Sequence, residues 1–436
     1  MGSIAQTLAS IIGKSQVATW EDLEEPLKRS VKRSIATDRL PTCIAFPETS
    51  DQLVEVVACA HQNRWRLLPC GQGSKLSWGS LISEADLVVS TQRLNRTIEH
   101  AIGDLTVTVE AGVSFAKLQA DLYQTRQFLA LDPAYTEQAT LGGIVATRDT
   151  GGLRQRYGGV RDMLIGLSFV RHDGQLVKAG GRVVKNVAGY DLMKLLTGSF
   201  GTLGILTQLT FRTYPLPETS QTVLLTGGVE AVQAIAAEVS LSSLTPIAID
   251  LLSSALLPDK DAAESGLAIQ FQSIDAGVAE QIERLQAIAA SHKIERQVLT
   301  DDAETQFWQQ LNRQLFGTVE TTTPVIAKIG TLPASSIPLL TFLQSTLAPG
   351  TWQARIHASS GIGTVALTTA KNTPEQLQSV RSHCQNAGGY LTLLEAPADW
   401  KTVLDPWALS PSVKQLMTQL REQFDPERCL SPGRFF

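Results

Sequence analysis

Apolar positions along the chain change period several times, and each change marks an element. A short apolar run over 43–46 precedes Pro47 and Thr49, after which Leu53, Val54, Val57 and Ala58 recur at helical spacing, so a strand and then a helix are predicted. A strand over 65–68 runs into a glycine loop, Pro69-Cys70-Gly71-Gln72-Gly73-Ser74. Further strands are predicted over 87–90 and 105–110, the second alternating as Leu-Thr-Val-Thr-Val, then a helix over 114–123. Residues 131–162 break this rhythm: they are glycine-rich, with few apolar runs long enough for an ordinary element. A loop of that length in a compact domain is usually functional. Strands over 164–171 and 175–179 flank a turn at Asp173-Gly174, and Pro215 and Pro217 make a natural boundary.

The second half has another grammar. It predicts a strand over 267–272, a helix over 276–290 and a strand over 295–299. A later series follows: strand 324–329, helix 335–347, strands 353–358 and 363–368, helix 374–387, strand 390–395. That β-α-β-β-α-β order is the split βαβ of ferredoxin-like sandwiches. At the start, Glu21, Asp22, Glu24 and Glu25 precede Lys28, Arg29, Lys32 and Arg33, the spacing of a solvated helix face. The chain therefore reads as α+β: a helical lead-in over 1–35, a first domain over 36–217, a ferredoxin-like antiparallel-sheet cap over 218–400, and a helix and tail over 401–436 that return to the first domain.

Composition narrows the class. With 436 residues, 43% hydrophobic and 18% charged, the sequence can bury a real core. No apolar run approaches the roughly 20 residues of a membrane helix. Lys+Arg 37 against Asp+Glu 42 gives −5, which argues against broad binding to a phosphate backbone. Lys14 follows the first apolar stretch instead of preceding it, a poor secretory signal. Five cysteines (Cys43, Cys59, Cys70, Cys384, Cys429) without CxxC spacing predict reduced thiols in a cytoplasm and no iron–sulfur or cysteine-rich zinc site in this chain.

Three glycine segments are candidates for chemistry. Gly71-Gln72-Gly73-Ser74 has the form of an anion cradle, because residues without a Cβ let consecutive N–H groups converge; it also has the form of an ordinary turn. It is neither GxGxxG nor a P-loop. The second segment runs from Pro133 through Thr140-Leu141-Gly142-Gly143-Ile144-Val145-Ala146-Thr147 to Gly151 and Tyr157-Gly158. Its paired glycines before a short helix could set backbone donors against a pyrophosphate, and Leu141 and Ile144 could wall a planar ring. The third is the run from Gly180 to Ile205. In the cap, His357 stands two positions from Arg355 and so shares a strand face with it. It reads as a structural histidine or as half of a weak acid–base site.

Taken together, and above all through KNVAGYDLMKLLTGSFGTLGI over 185–205, these segments resemble the PCMH-type FAD-binding domain of the vanillyl-alcohol-oxidase superfamily. Within it they are similar to the FAD-binding E subunits of bacterial glycolate oxidase, also called glycolate dehydrogenase. The resemblance covers about 36–215 strongly and the cap weakly. It implies a two-subdomain FAD domain with FAD held non-covalently, since no histidine stands at the usual attachment position. It places Gly71, Gln72, Gly73 and Ser74 on the pyrophosphate. Pro133, Thr140, Leu141, Gly142, Gly143, Ala146 and Thr147 match the second flavin-contacting segment, Gly151, Tyr157 and Gly158 the part passing the ring, and Gly204 and Ile205 the contact to the adenine half. Departures are Arg148, where relatives often carry Asn, Thr150 in place of a small residue, and Ser431 in the tail Leu430-Ser431-Pro432-Gly433-Arg434, where the family has Asn.

The resemblance also implies an activity: oxidation of glycolate or D-lactate to the 2-oxo acid, in a complex with a catalytic D-type flavoprotein and an iron–sulfur subunit, peripheral to the membrane at most. The D-type cap histidine–aspartate cluster is incomplete in this sequence, so no metal is expected, and an accessory role with His357 and Arg355 as the residual candidates is. A stand-alone FAD oxidoreductase and a non-catalytic flavin scaffold are the alternatives.

Overall fold

The computed structural model describes residues 4–181, 190–258, 264–317 and 324–435; the Arg182 to Gly189 part of the third glycine segment lies outside the described residues. The chain forms two compact units, one of residues 1–150, 158–216 and 409–436, the other of 151–157 and 217–408. Residues 151–157, which the sequence pattern groups with the first domain, thus belong with the second unit.

The first unit holds two main sheets. In the four-stranded one, Cys43–Ala45, Leu87–Ser90 and Leu67–Cys70 run parallel, and Val17–Thr19 is added antiparallel to Cys43–Ala45. The lead-in is therefore not all helix: Ile4–Ile12 and Glu25–Ser34 are helical, but the Val17–Thr19 segment between them, with β-branched residues at both ends, adds a strand to the sheet. The helix Ser50–Asn63 starts where Thr49 accepts the Gln52 amide at 3.2 Å, and it buries Leu53, Val56, Val57 and Ala60 on one face. Burying each such side chain contributes roughly 1.5–3 kcal/mol for the larger ones. The second sheet is antiparallel, in the order Thr97–Ala101, Thr106–Glu110, Ile205–Arg212, Leu164–Val170, Leu176–Gly180. The glycine-rich stretch that breaks the pattern contains three short helices, Leu141–Thr147, Arg154–Tyr157 and Val160–Met163. They are too short to leave a periodic signature.

The second unit contains the ferredoxin-like pattern twice. The later series is observed as Val325–Gly330, Ser336–Thr346, Trp352–His357, Ile362–Leu367, Pro374–Asn386 and Tyr390–Glu395. An earlier series repeats it: Thr219–Gly228, Val229–Leu241, Ala248–Ser253, Glu264–Ser273, Asp275–Ala290, Glu295–Thr300. The apolar pattern of the sequence predicts only the last three elements of that first copy. The two copies share one eight-stranded sheet, joined where Ala248–Ser253 pairs antiparallel with Trp352–His357. Alternation places Ile249, Leu251, Ala354 and Ile356 in the core under the paired helices, so Asp250, Arg355 and His357 point to the opposite face.

Candidate functional site

The strand Leu67–Cys70 ends in the loop 71–75. Ser90 Oγ donates to the Gly71 carbonyl at 2.8 Å and Thr91 Oγ1 to the Cys70 carbonyl at 3.2 Å, which turns the carbonyls of the loop's start inward. The amides of Gly71, Gln72, Gly73, Ser74 and Lys75 donate to no acceptor among the described residues. Gly73 has φ +86°, where a side chain is strained. Successive unpaired N–H groups on such a turn form a concave anion site.

The helix Leu141–Thr147 behaves differently from expectation. Its first amides are already used: Leu141 donates to Val113 O at 2.9 Å, Gly142 to Ala111 O at 2.8 Å, Gly143 to Thr140 Oγ1 at 3.2 Å and Ile144 to Thr140 O at 2.9 Å. The glycine pair thus contributes space and not donors. A Cβ built on Gly143 meets only Thr140 Oγ1, at 3.2 Å, and otherwise open space. Leu141 and Ile144 are fully buried on the inner face of the helix, so they pack in the core and do not line the pocket.

These segments line a concave pocket that opens to solvent. It is lined by Gly71, Gln72, Gly73, Ser74, Thr140, Gly142, Gly143, Ala146, Thr147, Gly204 and Ile205 among the residues singled out in the sequence. Pro133 and Gly158 lie outside the lining, and Gly151 and Tyr157 sit in the second unit, where Tyr157 Oη lies 3.4 Å from Gln272 Oε1. Arg148 is an exposed cap at the helix C-terminus, an ordinary surface charge, and Thr150 is buried with Oγ1 3.4 Å from the Val160 amide.

Several lining residues carry no signal in the sequence pattern. Lys75 Nζ lies 2.6 Å from Asp149 Oδ2, both side chains buried, and 5.2 Å from the centre of the Trp78 ring. Burial pulls the Lys75 ammonium pKa down, against the opposing pull of Asp149. The tail is threaded beside the strand Leu67–Cys70: Leu67 N donates to Cys429 O at 2.8 Å and Ser431 N to Leu67 O at 2.9 Å. This presents Ser431 and Arg434 to the cavity. Ser431 takes φ +44°, a conformation Asn adopts more readily, and its buried Oγ has no hydrogen-bond partner among the described residues. Arg434 is buried and donates to the carbonyls of Leu76, Trp78 and Ser80 at 2.9, 2.6 and 2.8 Å.

In the second unit, Asp250 is fully buried. Its Oδ1 lies 2.5 Å from His357 Nδ1, and its Oδ2 accepts from Arg355 Nε at 2.7 Å and Nη2 at 2.6 Å. The Arg355 guanidinium lies 5.0 Å from the centre of the Trp308 ring. Burial pushes the Asp250 carboxyl up, but Arg355 and His357 outweigh it and hold it at about 2. A Cβ on Gly152 would come within 3.1 Å of His357 Nδ1 and 3.2 Å of both Arg355 Nη2 and Asp250 Oδ1, so only glycine passes this close. Asp250 and Gly152 are not recognisable from their neighbours in sequence. No group of three or more His, Cys, Asp or Glu side chains among the described residues could hold a metal ion.

Comparison with known proteins bears on the cofactor. Residues 41–180 match the family described as FAD binding domain. Glycolate oxidase subunit GlcD of Bacillus subtilis is 27% identical over 430 residues, covering 91% of this chain and 89% of the relative. Glycolate oxidase subunit GlcE of Escherichia coli is 28% identical over 389 residues, covering 89% and 97%. The likeness is thus to both subunit types alike. Among solved structures, p-cresol methylhydroxylase with substrate bound superposes with a TM-score of 0.76 at 14% identity, covering 99% of this chain and 96% of that one, which shows a shared fold. The matches support FAD as cofactor and an oxidoreductase. The residues fit it: unpaired amides and Lys75 suit a diphosphate, the orphaned Ser431 Oγ awaits a partner, and the bare Gly143 leaves room for a bulky group.

Proposed function

We propose that this chain is the FAD-binding E-type subunit of a glycolate oxidase, in which glycolate or D-lactate is oxidised at its CH–OH group to the 2-oxo acid. The observation that carries the reading is the row of unpartnered amides over 71–75, lining a cavity inside a segment that matches FAD binding domains. The amides and Lys75 hold the diphosphate, while Phe200, Ile205 and Leu206 offer apolar wall. FAD supplies hydride acceptance, a chemistry no side chain carries. His357 and Arg355 are the polar groups we assign to the substrate's hydroxyl chemistry.

Non-covalent attachment is part of the proposal. Among the described lining residues there is no histidine, and the one thiol, Cys70, is pushed up to about 12 by burial despite a hydrogen bond with Ser90. A thiol so protonated is a poor nucleophile. Protein purified with FAD is expected to carry one flavin per chain, visible in its absorbance and released by acid precipitation. A chain that takes up no flavin sinks the cofactor; a flavin left on the precipitate sinks only the mode of attachment.

The partners in this reading are a D-type catalytic flavoprotein and an iron–sulfur subunit, since the five cysteines are scattered and all free. The complex belongs to the cytoplasm and meets a membrane only through those partners; among the described residues no helix is long and apolar enough to cross one. Dye-linked glycolate oxidation is expected to be slow or absent for the lone chain and to appear on reconstitution with both partners. A second reading, a stand-alone hydroxy-acid dehydrogenase, is favoured by the buried Asp250–His357 pair. It requires robust turnover by the lone chain, which would overturn the accessory role.

A further inference from the structure

A buried ion pair stands at the end of the glycine loop in the first unit, and its two halves are 74 residues apart. Lys75 lines the pocket, whereas its partner Asp149 lies outside the lining. The helix Leu141–Thr147 ends at Arg148, whose φ of +51° turns the chain sharply, and the Asp149 amide then donates to the Ile144 carbonyl at 3.1 Å. That turn leaves Arg148 exposed and brings Asp149 inside. Asp149 Oδ2 accepts from the Ala134 amide at 2.9 Å and from Lys75 Nζ at 2.6 Å. One oxygen thus ties the turn around Ala134 to the end of the loop.

An ammonium has three N–H donors and no acceptor. Asp149 takes one, and Thr147 Oγ1, on the pocket wall, lies 3.5 Å away. Lys75 Nζ has no other hydrogen-bond partner among the described residues, so it keeps donor capacity for an anion in the pocket. Burial works against that use, because it disfavours the charged form of a lysine and pulls the Lys75 pKa down. Asp149 opposes the pull. The other ionisable groups around the pocket do not replace it. Arg434 is a cation engaged by three carbonyls, Cys70 is pushed up to about 12 and so neutral, and Arg148 faces solvent. Asp132 and Tyr135 share the turn with Ala134, and neither is bonded to Lys75.

We infer that Asp149 is a positioning residue that holds Lys75 in the pocket wall as an ammonium, so that the chain binds the cofactor's diphosphate without taking up a proton. The inference rests on the FAD reading proposed above and deepens it. A lysine already charged meets an anion at no protonation cost. A lysine left neutral by burial must first take a proton from solvent, and binding then weakens as pH rises, because the free chain holds fewer protons than the complex. An ionised carboxylate also repels phosphates. That repulsion does not vary with pH, so a pH profile isolates its effect on the lysine.

The test uses the full chain freed of flavin and titrates FAD between about pH 6 and 9, where Arg434 stays charged and Cys70 neutral. Parent affinity is expected to vary by less than about threefold, with no net proton uptake when binding heats are compared in buffers of different ionisation enthalpy. Asp149→Asn keeps an acceptor for the Ala134 amide. Its affinity is expected to fall about tenfold per pH unit above the pKa of the unpaired lysine, with uptake approaching one proton. Adding Lys75→Met should abolish that dependence. An Asp149→Asn variant with the parent's profile and uptake overturns the inference, as does a double variant that keeps the slope or binds FAD as tightly as the parent. The charge of Lys75 is also read without flavin, from the ¹⁵N resonance of its Nζ, assigned by its loss in the double variant. The parent is expected to keep an ammonium across the range and Asp149→Asn to lose it. A neutral Lys75 in the parent at about pH 8 overturns the inference even where Asp149→Asn does not fold. A parent that shows the charged lysine but takes up no FAD sinks the cofactor reading, and with it the diphosphate's part, while the hold of Asp149 on Lys75 stands.

Discussion

Gly143→Val is expected to empty the cofactor pocket while leaving the fold in place. The position lies in the helix Leu141–Thr147, where valine is no worse than glycine for the backbone. A Cβ there meets only Thr140 Oγ1, at 3.2 Å, so the protein itself accommodates the branch with a small shift. Both methyl groups of valine must then occupy cavity space, which we assign to the cofactor. Overpacking of this kind can be relieved only by moving the ligand, and an FAD affinity at least 100-fold weaker, about 3 kcal/mol, is expected. Flavin titration reads the affinity, and circular dichroism with thermal melting reads the fold. An unchanged affinity in a folded variant would mean that the Gly142-Gly143 pair faces something other than the cofactor.

Arg434→Met should destabilise the first unit and weaken FAD binding together. Burial pulls the guanidinium down to about 10, so it is still a cation at neutral pH. It donates to three backbone carbonyls in the stretch that follows the glycine loop, Leu76, Trp78 and Ser80. Methionine fills much of the volume but donates nothing. Three carbonyls then lose a charged donor, at roughly 1–3 kcal/mol for each left unsatisfied. A loss of about 3 kcal/mol in urea unfolding and a tenfold or greater loss of FAD affinity are expected. Arg434→Lys should recover only part of either, because an ammonium cannot reproduce the guanidinium fork. A variant as stable as the parent would show that the loop is held by other contacts, and the tail would lose its place in the site.

Both effects concern parts of the site that differ in how far they could be read from the sequence. The glycine loop after Leu68 was legible, since Gly71-Gln72-Gly73-Ser74 following a strand limits the local backbone to few shapes. Its donors are free in the structure, as the anion-cradle reading requires. The Gly142-Gly143 pair was legible as a special place but not in its role. Whether a helix amide is free depends on what packs beside it, and here Val113 and Ala111, brought in from another segment, accept those amides. Lys75 directly follows the loop, yet its importance depends on Asp149, 74 residues away, and nothing local to either shows the pairing.

By itself, the sequence determined what short-range physics controls. Alternation and helical spacing located the strand Leu87–Ser90, the helix Pro374–Asn386 and the later ferredoxin-like series, because side-chain direction along a strand or helix follows from backbone geometry alone. The glycine motifs likewise pointed to FAD, a likeness the matched segment over 41–180 supports. Tertiary structure alone decided which distant residues meet. The first ferredoxin-like copy became visible through its strand pairing, and only the antiparallel register between Ala248–Ser253 and Trp352–His357 sets Asp250 against a histidine 107 residues later. Likewise Arg434 reaches carbonyls more than 350 positions upstream because the tail lies beside Leu67. Hydrogen bonds and ion pairs depend on separation in space, and the chain's local pattern leaves that separation undetermined until the sheets have paired.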